Sequence, residues 1–484
     1  MRKGIMILAG FTGIIYLLLL IPGRPINHFA PATSTPFTWN MDTRWQELQM
    51  QFEEARLFSA EKKDSFVTQH RHHLEQLIAG FETAGNPLLA EEYPNLLNAL
   101  FNAAPIVAAS GETDWFIRAY NQARRHVKYQ SRNMDLNDQE NRAMLYRLLY
   151  GLRAAVEEVL LQQNTTHFNP VQQVTDEPSV TPSAVINGIH VHSGDLLVSR
   201  GGAEVSAFIS RGNDYPGNFS HVALLHVDEA GKASLIEAHI EKGVALATVD
   251  EYLKDKKLRF MVLRPRADLP QLIKNPMLPH RAAQTALAES NRRHIPYDFK
   301  MNFYDSSAMF CSEVGSYAYR KNGIQLWQAV STISSAGVAS WLSAFGVENF
   351  VTQMPSDLEY DPQLSVVAEY CDPETLFKDH LDNAVMDVLY EQADKGKQIS
   401  YIRWLLPVAR IIKGYSIIQN TLGYPGIIPE GMTATQALKN STFVALYQET
   451  RQSTREKVDR FITEKKYRPP YWELVNMARK SVPN

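Results

Sequence analysis

The pattern of apolar and polar positions divides this chain into two helical parts and a mixed part between them. Over residues 44–163, apolar side chains recur at three- and four-residue spacing, as in "NRAMLYRLLYGLRAAVEEVLLQQ", which is the period of an amphipathic helix. Strand patterns are nearly absent there. Residues 360–484 return to the helical pattern, most clearly in "TLFKDHLDNAVMDVLYEQADKGK". Both segments are therefore predicted to be helical regions.

The middle of the chain consists of short apolar runs separated by Gly, Asp and Pro. Its clearest runs are "GDLLVSR", "HVALLHVD", "ASLIEAHI" and "RFMVLRPR", which are typical of strands in an antiparallel sheet. "MLPHRAAQTALAESNRR" and "SEVGSYAYRKNG" predict helices beside that sheet. We therefore predict an α+β domain over residues 186–350. Residues 164–185 contain three prolines and are predicted to be a linker.

The N-terminus "MRKGIMILAGFTGIIYLLLLIPGR" places two basic residues before a long uncharged stretch. That stretch is long enough to cross a bilayer, so residues 1–23 are predicted to be a transmembrane signal anchor and residues 24–43 a tether. A cleaved signal peptide is the alternative. The basic residues predict a cytoplasmic N-terminus and a body that faces the periplasm from the inner membrane. Residues 400–418 contain three basic residues and predict a packed amphipathic helix instead of a second span.

Composition narrows the class of protein. The chain has 484 residues, 45% of them hydrophobic and 21% charged, which is enough material for more than one globular core. A net charge of -3 argues against a nucleic-acid-binding protein, which would present a basic surface. Two cysteines cannot form a disulfide framework. One of them, Cys311, is instead a candidate nucleophile.

A thiol nucleophile needs a base and donors for the charge that develops during reaction. Cys311 just precedes a predicted helix, whose backbone N–H groups favour a thiolate and lower the thiol pKa. His221 begins a predicted strand, and Glu237 and His239 share one face of the next strand. If these strands pair, His221 is the base and Glu237 orients it, with His239 as a substitute for Glu237. The alternative is a buried thiol and a hydrogen-bonded histidine without a catalytic role.

Several stretches together are similar to a known family. "HSGDLLVSRGG", "NFSHVALLHV", "SLIEAHIEKGVALATVDEYL" and "IPYDFKMNFYDSSAMFCSEVGSYAYRKNGI" resemble, in this order, the circularly permuted papain-like family related to NlpC/P60 amidases and typified by YiiX and YaeF. The resemblance covers residues 190–326. It implies a small antiparallel sheet packed on a helix, with Cys311 as nucleophile, His221 as general base and Glu237 as the residue that orients the imidazole.

Three other features are assigned smaller roles. Tyr297 lies near the predicted cleft, where it either contacts the substrate or packs in the core. His190 and His192 have a spacing that a metal site can use, but no acidic or Cys partner stands at zinc spacing, so we predict a solvent-facing pair and no metal. Cys371 is predicted to be a buried thiol. No cofactor is expected.

The leading functional hypothesis is a membrane-anchored cysteine hydrolase of the bacterial cell envelope, which cleaves a peptide or peptidoglycan-type amide through an acyl-enzyme. One alternative is a lipid acyl thioesterase or acyltransferase that uses the same Cys-His-Glu site. A second is a non-catalytic envelope scaffold. The expected partners are the membrane, through the N-terminal helix, and proteins that contact the helical regions.

Overall fold

The computed structural model describes residues 11, 13–21, 30–83, 92–163, 168–254 and 257–483. Most of the predicted anchor, residues 1–23, and part of the predicted tether lie outside these residues. Within the described ranges, no helix combines the length and the apolar character that crossing a bilayer requires.

Residues 42–161 are helical, as their apolar periodicity predicts. The α-helices that the structure describes in this range are α1 (Asp42–Arg56), α2 (Ala60–Thr83), α3 (Glu92–Ser110), α4 (Asp114–Gln130) and α5 (Gln139–Leu161). The first residue of α5 is fixed by a side-chain cap. The Asp138 side chain accepts a hydrogen bond from the backbone N–H of Asn141 (2.9 Å), which satisfies one of the free donors of the first turn.

The central element of the fold is a seven-stranded sheet in which every neighbouring pair of strands is antiparallel. Its strands are β1 (Val171–Gln173), β4 (Leu196–Gly201), β5 (His221–Val227), β6 (Ala233–His239), β7 (Gly243–Thr248), β8 (Lys257–Pro265) and β11 (Leu364–Tyr370). They lie in the order β1-β11-β8-β4-β5-β6-β7 across the sheet. Two small hairpin sheets accompany it, formed by β2 (Ser183–Ile186) with β3 (Ile189–His192) and by β9 (Ser331–Thr332) with β10 (Val351–Thr352). The predicted α+β class with an antiparallel sheet and helical flanks is confirmed.

Two strands of the sheet lie outside the range 186–350 in which the sequence predicts the domain. Strand β1 comes from the predicted linker, and β11 comes from the predicted C-terminal helical region. The charged residue Glu369 interrupts the apolar run of β11, which hides its strand character. Its carboxylate is buried against the Arg124 guanidinium of α4 (2.7 Å), a partner that lies more than 200 residues earlier in the chain.

Apolar side chains alternate between the two faces of the sheet. On one face, Leu196 and Val198 of β4 belong to the same apolar cluster as Val314 and Ala318. On the other face, Leu197 packs in a second cluster. The helices of this part of the chain are α6 (Glu204–Arg211), α7 (Val249–Lys254), α8 (Pro270–Lys274), α9 (Leu278–Arg292), α10 (Cys311–Lys321), α11 (Ala336–Ala344) and α12 (Asp357–Tyr360). Helices α9 and α10 pack on the first face, as predicted for a helix that carries Cys311.

The last part of the chain is helical and packs on the first. It contains α13 (Pro373–Asp394), α14 (Leu406–Thr421), α15 (Ala434–Lys465) and α16 (Tyr471–Arg479). Leu376 of α13 and Leu474 of α16 belong to the same apolar cluster as the helices of residues 42–161. The two helical regions of the sequence therefore share one core.

Buried ion pairs connect this helical core to the sheet. Asp379 of α13 contacts the guanidinium groups of Arg200 on β4 (3.1 Å) and Arg259 on β8 (2.7 Å). The Arg259 guanidinium also pairs with Glu157 of α5. Because all four side chains are almost fully buried, the loss of one partner would leave an uncompensated charge away from water.

Candidate active site

The adjacent strands β5 and β6 bring His221 and Glu237 together, as the sequence predicts. Nε2 of His221 lies 2.5 Å from one carboxylate oxygen of Glu237. The other carboxylate oxygen lies 2.9 Å from Nε2 of His239. Glu237 therefore accepts from two imidazoles at once. His239, which the sequence suggests only as a substitute for Glu237, is a second partner of that carboxylate.

Burial and hydrogen bonding set the charges of this group. Burial lowers the pKa of His221 below 6.5, although its bond to Glu237 acts in the opposite direction. Burial alone would raise the pKa of Glu237, but the bonds from His221 and His239 outweigh it and hold that pKa well below 4.5. The bond to Glu237 raises the pKa of His239. At neutral pH, His221 is therefore a neutral imidazole that donates its Nε2 proton to an anionic Glu237 and has a free lone pair on Nδ1.

Cys311 is the first residue of α10. Phe310 before it has an extended backbone (φ -98°, ψ 172°), so the chain enters the helix at Cys311. The side-chain carboxyl group of Glu313, whose pKa burial raises to about 9, accepts from the backbone N–H of Phe310 (3.0 Å), which fixes the start of the helix. Only 3% of Cys311 is exposed.

The Cys311 thiol lies against the backbone on both sides of His221. It donates to the carbonyl oxygen of Ser220 (3.6 Å). Burial raises the pKa of the thiol to about 12, while backbone N–H groups of Val222, Ser312 and Cys311 act in the opposite direction. The pKa thus moves upwards, contrary to what the helix N-terminus alone suggests, because burial outweighs those donors. The direct bond between the thiol and the His221 imidazole stays a prediction, since the thiol donates to Ser220.

Two features hold α10 in this position. The hydroxyls of Ser312 and Ser316 donate to the backbone carbonyl (2.7 Å) and the side-chain carbonyl (2.8 Å) of Gln353. Gly315 lies directly over β4, because a Cβ atom built there would come within 2.5 Å of Cδ2 of Leu196. The glycine therefore permits the close approach of helix and sheet. The sequence gives no signal for the role of Gln353, which lies 41 residues after Ser312.

Tyr297 lies in the loop that precedes α10 and is half-buried. Burial raises its pKa well above 10, and the nearby Cys311 and Asp298 add to the effect. The phenol is therefore protonated at neutral pH. The loop is fixed by the backbone of β7: Val244 N–H donates to the carbonyl of Ile295 (2.8 Å). Gly243 has a φ of +71°, a left-handed conformation that favours glycine.

Two other pairs of histidines lie apart from this site. His226 stacks on His280 at 5.5 Å between ring centroids, and His190 faces His192 at 5.1 Å. Cys311 and Cys371 are both free and buried. In the part of the chain that the structure describes, no group of three or more His, Cys, Asp or Glu side chains is arranged to hold a metal ion.

Comparisons with known proteins place the central segment in a family. Residues 190–368 match the family model described as permuted papain-like amidase enzyme, YaeF/YiiX, C92 family. A similar solved structure is the crystal structure of metalloprotein yiiX from Escherichia coli O157:H7, with 18% identity and a TM-score of 0.31; the alignment covers 37% of this chain and 97% of that one. No curated protein matches. The resemblance that the sequence motifs indicate is therefore confirmed over residues 190–368 by the match to the model of the YaeF/YiiX family.

Proposed function

We propose that this protein is a cysteine hydrolase that cleaves an amide bond through an acyl-enzyme on Cys311. The observation that carries the proposal is the bond between His221 and Glu237 (2.5 Å), together with the contact of the Cys311 thiol with Ser220, the residue before that histidine. A nucleophile, a base and a group that orients the base are the parts that thiol hydrolysis needs.

In the proposed reaction, Nδ1 of His221 takes the thiol proton as Sγ of Cys311 attacks the carbonyl carbon of the amide. Glu237 keeps the imidazole in the tautomer that leaves Nδ1 free, and it stabilises the imidazolium that forms. The imidazolium then gives its proton to the leaving amine, which leaves a thioester on Cys311. A water molecule, deprotonated by His221, attacks the thioester and releases the acid and the free thiol.

The new negative charge on the carbonyl oxygen needs donors. The backbone N–H groups near Sγ, those of Val222, Ser312 and Cys311 itself, are suited to this task. Those of Cys311 and Ser312 lie at the N-terminus of α10, that of Val222 lies on β5, and Cys311 is buried away from water. We also propose that the protonated Tyr297 phenol contacts the substrate from the opposite side. With these donors, the proposed hydrolysis uses only side chains and backbone groups of the protein.

We propose a peptide or peptidoglycan-type amide as the substrate. Labelling with two thiol-directed probes tests this, one with a peptide and one with a long acyl chain as its recognition group. Intact-mass spectra should show an adduct with the peptide probe on the wild type and none on Cys311→Ala. Labelling by the acyl probe alone would favour a lipid thioesterase or acyltransferase, and no labelling by either would favour a scaffold.

We also propose that residues 1–23 hold the body at the outer side of the inner membrane. The support is Arg2 and Lys3 before an uncharged stretch, an arrangement that retains the N-terminus in the cytoplasm. An alkaline phosphatase fusion after residue 45 should be active. An inactive phosphatase and an active cytoplasmic reporter at the same position would contradict this topology.

A further inference from the structure

Helix α14 and the turns on both sides of it expose an unusual number of apolar side chains. Among the described residues, 28 large apolar side chains are exposed, and ten of them lie in the 26 residues from Ile402 to Ile427. We call these ten the α14 surface: Ile402, Trp404, Val408, Ile411, Tyr415, Ile417, Ile418, Leu422, Tyr424 and Ile427. Exposed apolar residues in such number mark an interaction surface.

Helix α14 contacts the rest of the protein through a narrow strip. Its buried residues are Leu406, Pro407, Ala409 and Ser416. Leu406 and Ala409 pack with Ala434 at the start of α15. The sequence predicts an amphipathic helix here that packs by its apolar side. The helix is present, but most of its large apolar side chains point away from the body.

Charge and aromatic content show what kind of partner fits this surface. Residues 398–429 contain Arg403, Arg410 and Lys413 but no Asp or Glu. The exposed set includes one Trp and two Tyr. Basic side chains together with Trp and Tyr on an apolar helix favour the boundary between the headgroups and acyl chains of an anionic membrane.

A second apolar segment lies beside α14. The Tyr16 hydroxyl donates to the Trp404 carbonyl (2.7 Å), and the Arg410 guanidinium donates to the Leu19 carbonyl (2.8 Å). Within this N-terminal segment, seven of the described residues are large, apolar and exposed: Phe11, Ile14, Ile15, Tyr16, Leu17, Leu18 and Ile21. The α14 surface therefore continues into a second exposed apolar surface.

The α14 surface is connected to the wall of the candidate active site. The Lys413 ammonium donates to the Glu430 carbonyl (2.9 Å), and the Glu430 carboxylate pairs with His294 (2.8 Å). His294 begins the loop that carries Tyr297. A partner on the α14 surface would thus lie near the loop that borders Cys311.

We propose that α14 lies in the interface of an anionic lipid bilayer, with its axis parallel to the membrane plane and the α14 surface buried among the acyl chains. This contact is additional to any span formed by the N-terminal segment. It does not depend on the chemistry of Cys311. If the proposed hydrolase activity is present, its site is held beside the bilayer surface, where a membrane-linked amide can reach it.

Spin labels on the full chain test the proposal. Cysteines are introduced singly at Ile411, Ile418 and Leu57, in a background where Cys311 and Cys371 are alanine. Leu57 is the control because it is 86% exposed and lies at the far end of α15, where its neighbour Arg56 bonds to Lys465 (3.1 Å). A helix of 32 residues spans about 48 Å, so Leu57 is far from α14.

The measurement is the collision rate of each nitroxide with oxygen and with a water-soluble nickel chelate. On addition of phosphatidylethanolamine–phosphatidylglycerol vesicles, labels at 411 and 418 should collide several-fold less with nickel and more with oxygen. The label at 57 should not change. Because the N-terminal segment alone could tether the chain to vesicles, co-sedimentation would not distinguish the two contacts, whereas these labels do.

A pair of variants makes the result specific. Ile411→Glu should abolish the change at label 418, and Ile411→Leu should retain it. The proposal is overturned if labels 411 and 418 remain as accessible to nickel as label 57 when vesicles are bound. It is also overturned if they are immobilised before any lipid is added, because that result would show that protein already covers the α14 surface.

Discussion

Glu237→Gln is the change that separates an orienting carboxylate from a merely polar side chain. Glu237 is almost fully buried and accepts from His221 at 2.5 Å and from His239 at 2.9 Å. A glutamine keeps the shape but has one acceptor oxygen, so its NH₂ group must face one of the two imidazoles. One bond is lost or its histidine changes tautomer, and the other bond loses its charge assistance.

The expected loss follows from these two bonds. A hydrogen bond to a charged group contributes about 1.5–3 kcal/mol, so losing one and weakening the other should cost about 2–3 kcal/mol in the step that uses His221. At about 1.4 kcal/mol for each factor of ten, acylation should slow roughly 30- to 150-fold. The second imidazole makes this expected effect larger than the loss of one bond alone would be.

The assay is the burst of p-nitrophenol that p-nitrophenyl acetate releases as it acylates the thiol. Thermal melts show which variants are folded. Glu229→Gln is the matched control, because Glu229 is exposed in the turn between β5 and β6 and should leave the burst rate unchanged. His239→Ala removes one donor and keeps the bond to His221, so a smaller loss of about tenfold is expected. A burst rate for Glu237→Gln within threefold of the wild type would refute this reasoning.

Three further results are expected. Burial raises the pKa of the Cys311 thiol to about 12, so the reactive thiolate fraction grows with pH. The rate of iodoacetamide alkylation of Cys311 should therefore still rise above pH 9. A plateau below pH 8 would indicate a preformed thiolate–imidazolium pair instead. Gly315→Ala forces a methyl group against β4 and should cost about 1–3 kcal/mol of unfolding free energy in urea titrations. The control is Gly80→Ala, which should be neutral or stabilising because Gly80 is at an exposed helical position with open space around it. Asp379→Asn removes the negative charge that faces the buried guanidinium groups of Arg200 and Arg259, and it should cost about 3–5 kcal/mol of unfolding free energy. An unchanged melting temperature would contradict the role of that ion-pair network.

The strands that place the site are predictable from the sequence because each has a local pattern. The runs that become β4, β5, β6 and β8 are apolar, short and bounded by turn residues. Their order in space puts His221 beside Glu237, and the small-residue helix start puts Cys311 at the N-terminus of α10. These parts of the fold depend on periodicity and on neighbouring residues, which a sequence displays directly.

The remaining features depend on contacts between distant segments. Strand β11 joins the sheet with a buried Glu369 whose partner is Arg124, and no local pattern shows that pairing. The same limit applies to Gln353, which holds α10 from outside it. The thiol pKa also depends on burial by the whole domain. The sequence shows that Cys311 stands at a helix N-terminus, which lowers the thiol pKa. It does not show the degree of burial, which raises that pKa by more.

The central claim is that Cys311 forms the acyl-enzyme with His221 as its base. Tandem mass spectra of peptides from protein quenched within the p-nitrophenyl acetate burst test this most directly, with Cys371 as the internal control because it is also a free, buried thiol. The proposed mechanism predicts an acetyl group on Cys311, none on Cys371, and at least a hundredfold slower acetylation of Cys311 in His221→Ala. Equal acetylation of both cysteines, or a rate at Cys311 that His221→Ala leaves unchanged, would contradict it.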